Sequence, residues 1–170
     1  MEQHELIKIV SGGQTGVDRG GLDAAIYLGI EHGGWCPRGR RAEDGRIPEM
    51  YRLVEMPQRD YVARTEQNVI DSDGTLILYR DQLTGGTELT YKLSLKHSRP
   101  QLCIDLLLLR VDDDADQQAV TLQQARTKVL NFLQTKNIRT LNIAGPREST
   151  SPGIQREAET FLVYVLDNQR

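Results

Sequence analysis

The chain has 170 residues, 38% hydrophobic and 26% charged, with a formal net charge of −3. This length fits one domain of ordinary globular composition, and the acidic balance argues against a general nucleic-acid or membrane-surface binder, whose affinity rests on excess Lys and Arg. The polar start Met1-Glu2-Gln3-His4-Glu5 lacks the basic and apolar parts of a signal peptide, no run approaches a membrane span, and the separated Cys36 and Cys103 fit neither a disulfide framework nor a zinc site. A single cytoplasmic domain over residues 1–170 is expected, with reduced thiols and no membrane or nucleic-acid partner.

The apolar run after Leu6 predicts a strand over Leu6–Ser11. Ser11-Gly12-Gly13-Gln14-Thr15-Gly16 follows, and apolar residues then recur with helical spacing over Val17–Leu28, with Gly29 fitting the C-cap. A glycine-rich turn between strand and helix is where parallel α/β folds hold anions. Glycine lets the backbone approach, and the helix N-terminus supplies free N–H groups. The turn is neither a P-loop nor a dinucleotide fingerprint, since it has neither GxxxxGK[ST] nor GxGxxG spacing. Arg19, in the first turn of the helix, opposes the helix dipole, a conflict that a nearby anion would remove.

Strands are next expected near Gly29–Trp35 and Tyr51–Glu55. Between them, Cys36 to Glu49 forms a long irregular segment carrying Arg38, Arg40, Arg41 and Arg46, and loops of that length commonly serve as lids or binding elements. A helix at Asp60–Ser72 leads to a strand at Thr75–Tyr79, the turn Thr84-Gly85-Gly86-Thr87, a helix at Thr87–His97 and a strand at Gln101–Leu107. Asp112-Asp113-Asp114 with Asp116 reads as a solvated helix start rather than a metal site. The stretch Gln117–Lys136 carries an amphipathic stripe through Val120, Ala125, Val129 and Leu133 and reads as scaffold. A last strand, Thr140–Ala144, enters Gly145-Pro146-Arg147-Glu148-Ser149 before a helix at Gly153–Asp167.

Alternating strands and helices predict an α/β fold with a mostly parallel sheet and helices on both faces. If the first and fourth strands are adjacent, their glycine turns flank one crevice at the C-terminal edge of the sheet, with the third turn on the same edge. Gln14, Thr15 and Thr87 offer side-chain donors there, Gly13, Gly16 and Gly86 offer amides, and Arg19 or Arg147 balances a small anionic ligand. Acid–base groups are sparse. His4, His32 and His97 are scattered and no GxSxG elbow occurs, which leaves Glu88 and Glu148, each equally suited to a helix start.

Five segments in order, Ser11 to Gly20, Gly34 to Arg40, Asp71 to Thr75, Gly85-Gly86-Thr87, and Ala144 to Ser149 with Pro152-Gly153-Ile154, make the chain resemble the molybdenum carrier protein family. The resemblance implies a single Rossmann-like domain related to lysine-decarboxylase-like phosphoribohydrolases. It further implies binding of molybdenum cofactor, an anionic pterin phosphate bearing a dithiolene-held metal, with no catalytic metal of the protein's own. Assembly as a homo-oligomer, dimer or tetramer, and delivery to molybdoenzymes or receipt from cofactor-synthesis proteins follow from the same likeness. Carried over motif by motif, Gly12, Gly13, Gln14, Thr15, Gly16 and Arg19, then Gly85, Gly86, Thr87 and Thr90, then Gly145, Pro146, Arg147, Glu148 and Ser149 face the ligand. Arg38 and Arg40 close over it, and Cys36 is either a molybdenum thiolate or, more commonly for such a position, a structural thiol. The enzymatic relatives carry PGGxGTxxE; here Thr84 to Tyr91 lacks the proline and the interposed glycine and puts Thr90 about where the glutamate lies. Carriage is therefore expected first. A nucleotide N-glycoside hydrolase acting through Glu88 or Glu148, or a nucleotide or ADP-ribose sensor, is the alternative.

Overall fold

In a computed structural model of the protein, the described residues are 5–110 and 115–167. The run Asp112 to Asp114 lies outside them. Five parallel strands, β1 (Lys8–Val10), β2 (Glu31–Gly33), β7 (Gly74–Tyr79), β8 (Gln101–Asp105) and β9 (Thr140–Ala144), form the central sheet in the order β2-β1-β9-β7-β8. The first and fourth expected strands, now β1 and β7, are therefore not neighbours. β9 lies between them, pairing Lys8 with Thr140 on one side and Gly74 with Leu141 on the other. The strand from the end of the chain occupies the centre, and all three glycine-bearing turns still leave from one edge.

Helices α1 (Val17–Leu28), α4 (Ala115–Thr135) and α5 (Ile154–Leu166) share one buried cluster with the sheet, in which Val17, Ala25, Val129, Leu133, Phe161 and Leu162 meet Leu76, Leu78, Leu141 and Ile143. Ile77, equally buried, points to the opposite face, because side chains alternate along a strand. That face is covered by α2 (Tyr61–Ile70) and α3 (Gly85–Lys96). Gly29 closes α1 in the left-handed conformation, as its position predicts, and the Asp60 carboxylate caps α2 by accepting the Ala63 N–H at 2.8 Å.

The expected strand Gly29–Trp35 joins the sheet only in part, as β2, and Tyr51–Glu55 not at all. Gly29–Trp35 breaks at Gly34, whose φ of 123° turns the chain and where a Cβ would lie 2.2 Å from the Ser11 carbonyl oxygen. Beyond the break, β3 (Trp35–Cys36) pairs in parallel with β6 (Val54–Glu55), all that is extended of Tyr51–Glu55, in a separate two-stranded sheet. Between them β4 (Arg41–Ala42) and β5 (Gly45–Arg46) form a small antiparallel hairpin. Cys36 and Tyr51 pack with Leu22 and Ile47 in a second apolar cluster that fastens this excursion to the α1 side of the molecule. The edge strand β8, expected over Gln101–Leu107, ends early, at Asp105, whose carboxylate accepts the Leu107 N–H and starts a 3-10 turn over Leu106–Leu109. Among the described residues no helix is long and apolar enough to cross a membrane.

Candidate functional site

The turns after β1, β7 and β9 line one cleft of about 220 Å³, with α2 as its fourth wall. Gly12, Gln14, Gly85, Gly86, Thr87, Thr90, Gly145, Pro146 and Arg147 all border it. On the β7 side, Thr84 precedes α3 without a side-chain cap; its carbonyl oxygen accepts the Thr87 and Glu88 N–H groups at 3.1 and 3.3 Å, while Gly85 and Gly86 border the cleft where a Cβ on either would meet nothing. Thr90 turns its hydroxyl back to the Gly86 carbonyl oxygen at 2.9 Å, a bond that firms the first turn.

Beneath the β1 turn lies a buried ion pair. The Asp18 carboxylate accepts the Gln14 N–H at 3.2 Å and an Arg64 Nη1 proton at 3.1 Å. Burial pushes the Asp18 carboxyl above its usual range; the Arg64 charge and the local N–H donors pull the other way without prevailing. Arg64 lies flat against Gly12, where a Cβ would come within 1.9 Å of Nη1, so the glycine is what lets the guanidinium reach the cleft floor. Tyr61, one turn earlier on α2, has Arg64 and Arg147 at 5.9 and 5.5 Å from its ring centre.

Two donors in this cleft are left over. Gln14 is 5% exposed, and its Oε1 accepts the N–H groups of Thr15 and Glu43 at 3.0 and 2.9 Å, which fixes the amide so that Nε2 turns elsewhere. Gln14 Nε2 and Arg64 Nε are two of the three buried side-chain polar atoms without a hydrogen-bond partner among the described residues, and both belong to residues of the cleft wall. Leaving a buried donor unmet costs about 1–3 kcal/mol, so an acceptor that reached either atom would be favoured.

The other carried-over residues lie elsewhere. Arg19 is buried, donating from Nε to the Gly13 carbonyl oxygen at 3.0 Å and from both terminal nitrogens to Asp44 at 2.5 and 2.8 Å. The anion that resolves its clash with the helix dipole is thus internal. Arg40 does not close over the cleft either: it is buried inside its own loop and donates to the carbonyl oxygens of Ile47, Pro48, Tyr51 and Leu53. Arg38 is exposed and does not border the cleft. Thr15 and Ser149 both give their hydroxyl protons to Glu43, at the tip of the β4–β5 hairpin. Glu148 caps α5, taking the N–H groups of Gly153 and Gln155, and Glu88 pairs with Lys92 on the exposed side of α3. Cys36 is fully buried in the second apolar cluster, away from the cleft, where burial pushes its thiol up.

Asp18, Tyr61, Arg64, Asn68 and Asn142 border the cleft without having been singled out from the sequence. A signal for three of them existed. Tyr61, Arg64 and Asn68 fall at i, i+3 and i+7, one polar stripe along a helix whose inward face ought to be apolar.

Glycine turns gathered at the C-terminal edge of a parallel sheet, around one cleft with polar walls, define a Rossmann-like protein. The chain belongs to the circularly permutated YpsA SLOG family, whose model matches residues 9–166. Its fold also matches the 1.45 Å crystal structure of a protein from Syntrophus aciditrophicus SB, provisionally named a molybdenum carrier protein, at 44% identity, 95% coverage of both chains and a TM-score of 0.83. No curated protein matches the chain.

Proposed function

We propose that the protein is a carrier that binds molybdenum cofactor in the cleft, its phosphate at the first amides of α3 and its pterin beside Tyr61 and Arg147. The observation that carries this reading is the pair of unmet buried donors, Gln14 Nε2 and Arg64 Nε, on the walls of one cleft. An anionic, acceptor-rich ligand satisfies both, and the name of the Syntrophus protein directs the choice among such ligands. Anaerobic ultrafiltration with isolated cofactor tests it. Wild type is expected to retain the cofactor, and Gln14→Leu to bind about tenfold more weakly, the worth of one buried hydrogen bond. Equal retention by the two forms, or none by either, overturns the assignment.

A second reading, hydrolysis of a nucleoside monophosphate at its N-glycosidic bond, draws on Asp18, the carboxyl group that borders the cleft with its affinity for protons raised by burial. Glu88 and Glu148 are held in helix contacts instead. Base release from a panel of nucleoside monophosphates, abolished in Asp18→Asn, would establish this reaction. Silence across the panel would leave carriage.

A further inference from the structure

The hairpin places a carboxylate where an oxyanion belongs. Glu43 Oε1 accepts the Ser149 N–H at 3.1 Å and the Thr15 hydroxyl, Oε2 accepts the Ser149 hydroxyl, and Arg147 Nη1 stands 3.8 Å away. Three donors and a guanidinium, drawn from the turns after β1 and β9, thus converge on one pair of oxygens. Such a nest of hydroxyl, amide and guanidinium donors is what proteins otherwise build around phosphate. Burial works against the charge of Glu43, but the hydrogen bonds from Ser149 and Thr15 and the nearby Arg147 outweigh it and hold the carboxyl below its usual range.

The nest adjoins the cleft. Arg147 borders both, and Gln14 joins them, its Oε1 gripping the Glu43 N–H while its unmet Nε2 belongs to the cleft wall. At about 220 Å³ the cleft is smaller than the ~300–1,000 Å³ usual for sites that enclose a cofactor-sized ligand. Meanwhile the hairpin backbone has anchors that do not involve the Glu43 side chain: the Gln14 bond to its N–H, and the two-pronged Arg19–Asp44 pair. The side chain, 19% exposed, is therefore free to turn toward water while the hairpin stays in place.

We propose that Thr15, Ser149 and Arg147 form a second oxyanion position, and that Glu43 fills it as an internal anion until a phosphate-class group of the ligand displaces the carboxylate. The inference rests on the reading of the neighbouring cleft as an anion site, but not on which cargo it takes. Empty protein then pays no desolvation penalty for unmet donors at the hairpin end, and ligand binding must overcome the internal carboxylate. Affinity is reduced by the fraction of molecules in which the position is closed.

Inorganic phosphate is the probe, titrated calorimetrically at constant ionic strength into wild type, Glu43→Ala and Glu43→Gln. Opening the position is expected to tighten phosphate binding about tenfold in Glu43→Ala, the effect of one charge-assisted contact no longer contested. Glu43→Gln keeps the shape and most of the hydrogen bonding, and is expected to show a smaller gain in the same direction through lost charge alone. Adding Ser149→Ala to Glu43→Ala is expected to remove the gain. Phosphate binding that is unchanged, weakened or undetectable in both Glu43 variants overturns the proposal, as does a gain that survives Ser149→Ala. Because the probe is phosphate, a protein that gains phosphate affinity here yet fails to retain molybdenum cofactor would refute the cargo while supporting the internal anion.

Discussion

The two ends of the glycine-turn edge are built from similar residues and are in opposite states. Near α2 and α3, Gln14 Nε2 and Arg64 Nε, buried atoms of two residues that border the cleft, have no acceptor among the described residues. Under the hairpin, the hydroxyls of Thr15 and Ser149 and the guanidinium of Arg19 are all taken, by Glu43 and Asp44. Glycine turns and Arg donors are therefore insufficient to locate a ligand; what matters is whether the protein has already supplied the acceptor. At one end it has, and at the other it has not.

The sharpest way to break this contrast is to remove an arginine from each end. Arg64→Met leaves the Asp18 carboxylate buried without its partner and is expected to cost about 3–5 kcal/mol in guanidinium denaturation, with most of the loss recovered when Asp18→Asn is added. Gly12→Ala should cost about 1–3 kcal/mol by pushing Arg64 off the cleft floor, and should weaken ligand retention with it. Arg19→Met is expected to cost only about 1–2 kcal/mol, because the Asp44 side chain it abandons is 48% exposed and regains water. Equal losses at Arg64 and Arg19 would erase the distinction between the ends.

The gentlest probe is pH, since the two acidic partners shift in opposite directions. The Asp44 carboxyl is held below its ordinary 3.8, first by the hydrogen bond from Arg19, so its contribution to stability is present above that value and is lost as pH falls through the lower folded value. Asp18, raised from the same 3.8 by burial, has the opposite sign: its ionisation erodes stability as pH climbs from 3.8 through the raised folded value. Carboxyl carbon chemical shifts followed by NMR should place the Asp18 midpoint above that of Asp44. The reverse order would contradict the burial of one and the pairing of the other.

Much of this was legible from residue order. Strand and helix alternation, the Gly29 cap and the three glycine turns follow from local periodicity and backbone freedom, which are properties of short segments. The insertion of β9 between β1 and β7 was not legible, because pairing partners 132 residues apart leave no local trace. Arg19 and Arg40 were misplaced for a related reason. Each does bind acceptors, but Asp44 and the carbonyl oxygens of the Ile47 to Leu53 segment come from a stretch whose path depends on the turn at Gly34. Arg64 was overlooked because an arginine on an amphipathic helix looks solvated until the missing Cβ of Gly12 gives it somewhere to go.

The position of β9 also bears on how the molecule comes into being. A ribosome releases β1, β2, β7 and β8 before the strand that joins the two pairs, so until Thr140 to Ala144 emerge the growing chain has nothing to bridge them. Closing contacts of such long sequence separation are slow to form. The cleft, whose walls come from both halves and from the β9 turn itself, is consequently complete only once that central strand is in place.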